Sequence, residues 1–86
     1  MARLKKPKKL DRESVMGWTA RMAAKLTASE FTEMVTVMHL RGDFVYVNHS
    51  ALVERVGKFY VVFTEHDHNH LYDAEEVRVQ VGRQQR

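Results

Sequence analysis

Apolar residues first recur along the chain at helical spacing. Four of them are separated by three or four positions and therefore share one face of a helix: Val15, Trp18, Met22 and Leu26. Asp11 stands where an N-cap residue is expected, and Glu13 lies in the first turn, where the helix dipole favours an acidic side chain. The pattern predicts one amphipathic helix over residues 12–26.

The next segment fits two structures. Thr27 and Glu30 have the spacing of a capping box, and the apolar residues that follow them fit a helical stripe. However, β-branched residues are concentrated in 33–40, and this run mirrors a second one, 44–47, across the turn-forming Arg41-Gly42-Asp43. We favour a hairpin over a helix here, with at most one helical turn before it.

Two further β-rich runs, 51–56 and 59–64, flank Gly57-Lys58, and this arrangement predicts a tight hairpin. The second run is apolar without interruption over its first five residues, so we expect that strand to be central and covered on both faces. The helix that carries Trp18 is the candidate cover for one of these faces.

The end of the chain returns to strand after a polar interruption. We predict a polar loop over 65–70, and Asp73 and Glu76 have the spacing of a single capped turn. Apolar and polar residues then alternate as in a half-buried strand, with Val77, Val79 and Val81 as the apolar set.

These elements predict an α+β fold, with an N-terminal helix packed on a small antiparallel β-meander or SH3-like barrel of about five strands. We divide the 86 residues into a flexible basic arm (1–10), a single α+β domain (11–82) and a basic C-terminal tail (83–86). A fold of this class assigns no function by itself.

The net charge of +3 conceals a segregation of charge along the chain. Residues 1–25 contain eight basic and two acidic residues, a net charge of +6, whereas residues 26–82 contain four basic and nine acidic ones, a net charge of −5. A folded body that reads nucleic acid would itself carry the positive field. We therefore expect any nucleic-acid contact to be weak, salt-dependent and made by the arm.

The cations of the arm are the first candidate binding residues: Arg3, Lys5, Lys6, Lys8 and Lys9. Each can displace a counterion from a phosphate, and Pro7 favours an extended backbone between the two lysine pairs. The expected partner is a nucleic acid or an acidic protein surface. A solubilising tail without a partner and, in a eukaryotic protein, a nuclear-localisation patch remain alternatives.

Three histidines at alternate positions form a second candidate site: His66, His68 and His70. In an extended segment they would project from one side, where neutral imidazoles can begin a site for a divalent transition metal such as zinc, nickel or copper. The alternative is a solvated loop, because Asp67 and Asn69 are turn-forming residues.

Large apolar residues are abundant for so short a chain, and methionine-rich surfaces adapt to partners. We expect Trp18, Met22 and Tyr46 to contact a protein partner or a second copy of the chain, unless they fill the core between helix and sheet.

Several function classes find no support in the sequence. There is no cysteine for a disulfide or a thiol nucleophile, and no apolar run long enough for a membrane span. His49 and Ser50 are adjacent and would point to opposite faces of a strand, so they cannot form a nucleophile–base pair. We expect a non-enzymatic binding or adaptor protein, cytoplasmic, or nuclear if the source is eukaryotic.

Overall fold

The computed structural model describes residues 4–83, and within them one α-helix precedes five strands. The helix is α1 (Arg12–Ala23), and the strands are β1 (Glu33–His39), β2 (Phe44–Val56), β3 (Phe59–Thr64), β4 (His70–Asp73) and β5 (Val77–Arg83). All pairings in the sheet are antiparallel. The predicted α+β class, one helix with a small antiparallel sheet, is confirmed.

The strands form one sheet in the order β4-β3-β2-β1-β5. The first four strands are a meander, and β5 returns to pair with β1 at the opposite edge. The sheet does not close, so β4 and β5 are its two edges. The predicted small meander, or barrel-like sheet, describes this arrangement.

The helix begins where the sequence predicts but ends earlier. Ser14 donates its backbone N–H to Asp11 Oδ1 at 2.8 Å, so Asp11 is the N-cap residue. At the other end, Lys25 and Leu26 donate to carbonyls only three residues back. These tighter bonds end the α-helix at Ala23 instead of residue 26.

The ambiguous segment is a hairpin, as favoured above. β1 pairs with the first half of β2 across a turn in which Gly42 has a φ of +99°, a conformation that favours glycine. The single turn before the hairpin is a short 3₁₀ turn, Ala28–Glu30.

β2 is one strand of 13 residues, where the sequence indicated two runs separated at 48–50. The register against β1 moves from Asn48 to Ala51 while β1 advances only from Val35 to Glu33, which is a bulge. Asn48 Oδ1 accepts the backbone N–H of Ser50 at 2.7 Å within this bulge. The polar residues therefore bend the strand without ending it.

The loop after β3 is shorter than predicted, because His70 begins β4. Residues His70–Asp73 pair with the first four residues of β3, and no strand was predicted for them. The turn after Asp73 and the final strand both form as expected, although β5 extends to Arg83, which we had placed in the C-terminal tail.

The core lies on both faces of β3. On one face, Phe59, Val61 and Phe63 pack under α1, and Trp18 meets Phe63 edge to face with ring centroids 5.9 Å apart. On the other face, Val62 joins a second cluster that reaches Val77 on the far edge of the sheet. The prediction that this strand is covered on both faces, with α1 covering one, is confirmed.

Replacing Trp18 with alanine should destabilise the fold by about 3–5 kcal/mol, because it leaves a large cavity between α1 and β3. The matched change on the exposed side of α1, Met16→Ala, should stay within about 0.5 kcal/mol, since Met16 is 55% exposed. Urea unfolding of both variants measures the difference. A loss for Trp18→Ala no larger than that for Met16→Ala would contradict this packing.

Candidate functional site

The basic arm is held against the body at two points. Leu4 packs against the core cluster under α1. Leu10 lies over Gly57, where an added β-carbon would come within 3.0 Å of the leucine side chain. Residues 5–9 thus run between two apolar anchors and form neither helix nor strand. Neither contact is apparent from the sequence, and the flexibility of the arm stays a prediction.

The lysines between these anchors all point into solvent: Lys5, Lys6, Lys8 and Lys9 are exposed. Within residues 4–83 none of them takes part in an ion pair. Arg3, the fifth cation predicted for this site, lies outside the described residues. The four described lysines are therefore available to an anionic partner.

The fold adds cations from the body to the arm. Lys58 lies in the β2–β3 turn, next to the glycine on which Leu10 rests. The guanidinium of Arg12 lies 5.4 Å from the centre of the Phe59 ring, and that of Arg55 lies 5.1 Å from the centre of the Tyr60 ring. From the sequence, the β2–β3 hairpin was assigned to the acidic body. Only the apolar character of Leu10 could have indicated that the arm packs against this hairpin.

The groove between the arm and α1 carries charges of both signs. It encloses about 600 Å³ and is lined by Lys8, Lys9 and Arg21 together with Asp11 and Glu13. The hydrogen bonds from Ser14 lower the pKa of Asp11, so this carboxylate is charged at neutral pH. An anionic chain inside the groove would therefore meet two carboxylates beside Lys8, Lys9 and Arg21, whereas Lys5 and Lys6 lie outside its lining.

The three histidines do not lie on one side of an extended segment, as the metal-site hypothesis requires. Thr64 Oγ1 donates to the carbonyl of Asp67, and Asn69 Oδ1 accepts the backbone N–H of Thr64, so the loop folds back on the end of β3. His66 and His68 are exposed in this loop, and only His70 is in a strand. Among residues 4–83, no group of three or more His, Asp or Glu side chains is arranged to hold a metal ion.

His70 belongs instead to an aromatic and carboxylate cluster. Its ring lies between Tyr46, with centroids 4.2 Å apart, and Tyr72, which is stacked at 5.9 Å. Asp67 Oδ2 accepts the hydroxyl of Tyr46 at 3.2 Å and lies 3.6 Å from His70 Nε2. Asn48 in turn donates to the Tyr46 hydroxyl at 2.7 Å.

Hydrogen bonds lower the pKa of the carboxyl group in this cluster, and burial raises the pKa of its two phenols. The backbone N–H of His68 is the main cause that lowers the pKa of Asp67, and the Tyr46 hydroxyl adds to it. Burial raises the pKa of both Tyr46 and Tyr72. The cluster ties the loop to β2 and β4, which is a structural role.

Two of the three residues expected at a protein interface are core residues. Trp18 and Met22 face the sheet and are buried beneath α1, which corrects that expectation. Tyr46 is half-buried in the cluster around His70. Within the described residues, the exposed apolar side chains lie elsewhere, and the larger ones are Leu10, Met16, Met34, Leu40, Phe44, Val47 and Val81.

Comparisons of this chain with protein-family models, with curated proteins and with solved structures found no match. Over residues 4–83, no helix has the length and apolar character needed to cross a membrane.

Replacing Tyr46 with phenylalanine should raise the pKa of Asp67, because one hydrogen bond to its carboxylate is lost. That pKa should stay below the ordinary value of 3.8, since the stronger bond from the His68 N–H remains. A carbon-13 NMR titration of the Asp67 carboxyl group measures the change. The same replacement at Tyr60, which packs under Arg55 on β2, is the matched control and should have no effect.

The sign of the pH dependence follows from the lowered pKa. Ionised Asp67 stabilises the fold at pH values above its ordinary pKa, and this contribution is lost as the pH falls through the lower folded-state value. An unchanged Asp67 pKa in Tyr46→Phe, or an equal rise in Tyr60→Phe, would contradict the assigned hydrogen bond.

Proposed function

We propose that this chain is a small non-enzymatic binding or adaptor protein. Its basic arm contacts an anionic polymer, for which we argue nucleic acid, and its body contacts a protein partner or a second copy. The single observation that carries the proposal is the display of four exposed lysines on a segment anchored at both ends.

Anchoring matters because a free tail loses conformational freedom when it binds. Leu4 and Leu10 fix the two ends of the lysine segment before any partner arrives. The lysine segment therefore loses less conformational entropy when it binds, so more of the electrostatic attraction contributes to affinity. A tail that serves only solubility has no need of these contacts.

The cations on the body extend the same surface. Arg12 and Lys58 adjoin the anchored end of the arm, whereas Arg55 packs over Tyr60 on the opposite face of the sheet. A polyanion bound along the arm would meet Arg12 and Lys58 next. The acidic remainder of the body would repel it, which restricts contact to this one region.

The absence of a base-reading surface sets the expected specificity. The arm contains no aromatic side chain for stacking, and the rings of Phe59 and Tyr60 lie beneath arginines. Binding should depend on phosphates and be largely independent of sequence.

Replacing Lys5, Lys6, Lys8 and Lys9 together with glutamine should abolish most of the binding to a single-stranded oligonucleotide. The slope of log K against log salt should become less steep by about 3, the contribution of four phosphate contacts on a single strand. A smaller slope should remain in the variant, from Arg12 and Lys58. Fluorescence anisotropy over a range of salt concentrations measures both slopes.

The control removes four exposed cations that lie elsewhere, through Lys25→Gln, Arg41→Gln, Arg78→Gln and Arg83→Gln. This variant should keep most of the affinity and the slope. Equal losses in the two variants would mean that binding follows net charge alone. Retention of affinity by the arm variant would contradict the proposal directly, and binding to polyglutamate in preference to the oligonucleotide would point to an acidic protein surface.

A further inference from the structure

The edge strand β5 is long and regular, and the charged Arg78 and Arg83 are its only protection among the features that usually guard the edge of a sheet. Its seven residues pair with β1 without a register shift, so the strand has no bulge to turn it away. It contains no proline and no lysine, and three of its residues are valines. β4, at the other edge, is protected by being only four residues long.

Val81 on β5 has no neighbouring strand on its outer side. Val81 pairs with Val35 and shares its face of the sheet. Val35 is completely buried, whereas Val81 is 47% exposed. The difference arises because Val35 has strands on both sides and Val81 has one on one side only. A further strand beside β5 would cover it.

We propose that the missing strand is the β5 of a second copy, paired antiparallel across a two-fold axis at Gln80. Gln80 is the central residue of β5, so an axis at this position pairs all seven residues of one strand with the seven of the other. It places Val79 opposite the second copy's Val81, and Arg78 opposite Gly82, which leaves room for the guanidinium. No arginine then faces another arginine, so the pairing avoids like-charge repulsion.

The symmetry fixes the shape of the dimer. An antiparallel pair of edge strands requires a two-fold axis perpendicular to the sheet, so both copies present the same face on the same side. The two helices, and the basic arms anchored beside them, therefore lie on one side of a continuous sheet. Two arms on one surface would strengthen binding to a long polyanion by raising the effective concentration of the second arm.

This inference rests on one part of the proposed function, namely that the body contacts a protein partner or a second copy. Its test does not involve the arm, so its failure would leave the oligonucleotide experiment unaffected. An acidic extended peptide from another protein is the competing occupant of this edge, and the uncovered face of β1 and β2 around Val47 is the competing surface for self-association.

Sedimentation equilibrium of the full chain should give a dimer, about twice 10.1 kDa. Val81→Lys places a charge at the edge and should weaken the dimer by about tenfold or more. Val47→Lys is the matched control, because Val47 is 43% exposed and lies on β2 away from this edge. A monomer at all concentrations, or a dimer lost in Val47→Lys and kept in Val81→Lys, would overturn the proposal.

A disulfide cross-link between the two copies provides a second test, which does not require a substitution that weakens the dimer. Because the chain has no cysteine, Gln80→Cys introduces a single thiol, which should form a disulfide with its counterpart across the axis under mild oxidation. Arg78→Cys is the control, since the two copies of residue 78 would be about 13 Å apart along the strands. Equal cross-linking of both variants would indicate random collision and contradict the proposed register.

Discussion

Burial of β3 on both faces is the constraint on which the rest of the structure depends. Its alternate residues Phe59, Val61 and Phe63 need one apolar layer, and Val62 needs another. The chain supplies the first layer with α1 and the second with the valines of β1 and β5. A domain of this size has few apolar residues. Those that it has bury β3, and the margins of the sheet remain partly exposed.

The surfaces available for function follow from that priority. α1 is only 12 residues long and leaves Phe44 and Val47 exposed on its own face of the sheet, while Val81 is exposed on the other face, on the edge strand β5. The same packing draws in Leu4 and thereby fixes the arm that carries the lysines. The anchored lysines and the exposed edge of β5 therefore both result from the way in which β3 is buried. Each of these two surfaces is suited to a different partner.

The sequence predicted those elements whose signal is local. The stripe from Val15 to Met22 predicted α1, and the unbroken apolar run of β3 predicted a strand covered on both faces. β4 escaped notice because its four residues become a strand only through pairing with β3. The misassignment of Trp18 and Met22 to an interface has a similar cause, since an apolar helix face looks the same in sequence whether its own sheet or a partner covers it. The metal hypothesis assumed an extended backbone that the Thr64 and Asn69 hydrogen bonds replace with a folded loop.

The most direct test of the central claim is a nitrogen-15 NMR titration of the full chain with a single-stranded oligonucleotide at low salt. We predict that shift changes concentrate on residues 5–12 and on Lys58, while β1 and β5 stay unchanged. Changes centred on β1 and β5, or no change at any residue, would contradict the assignment of the anchored basic arm as the binding surface.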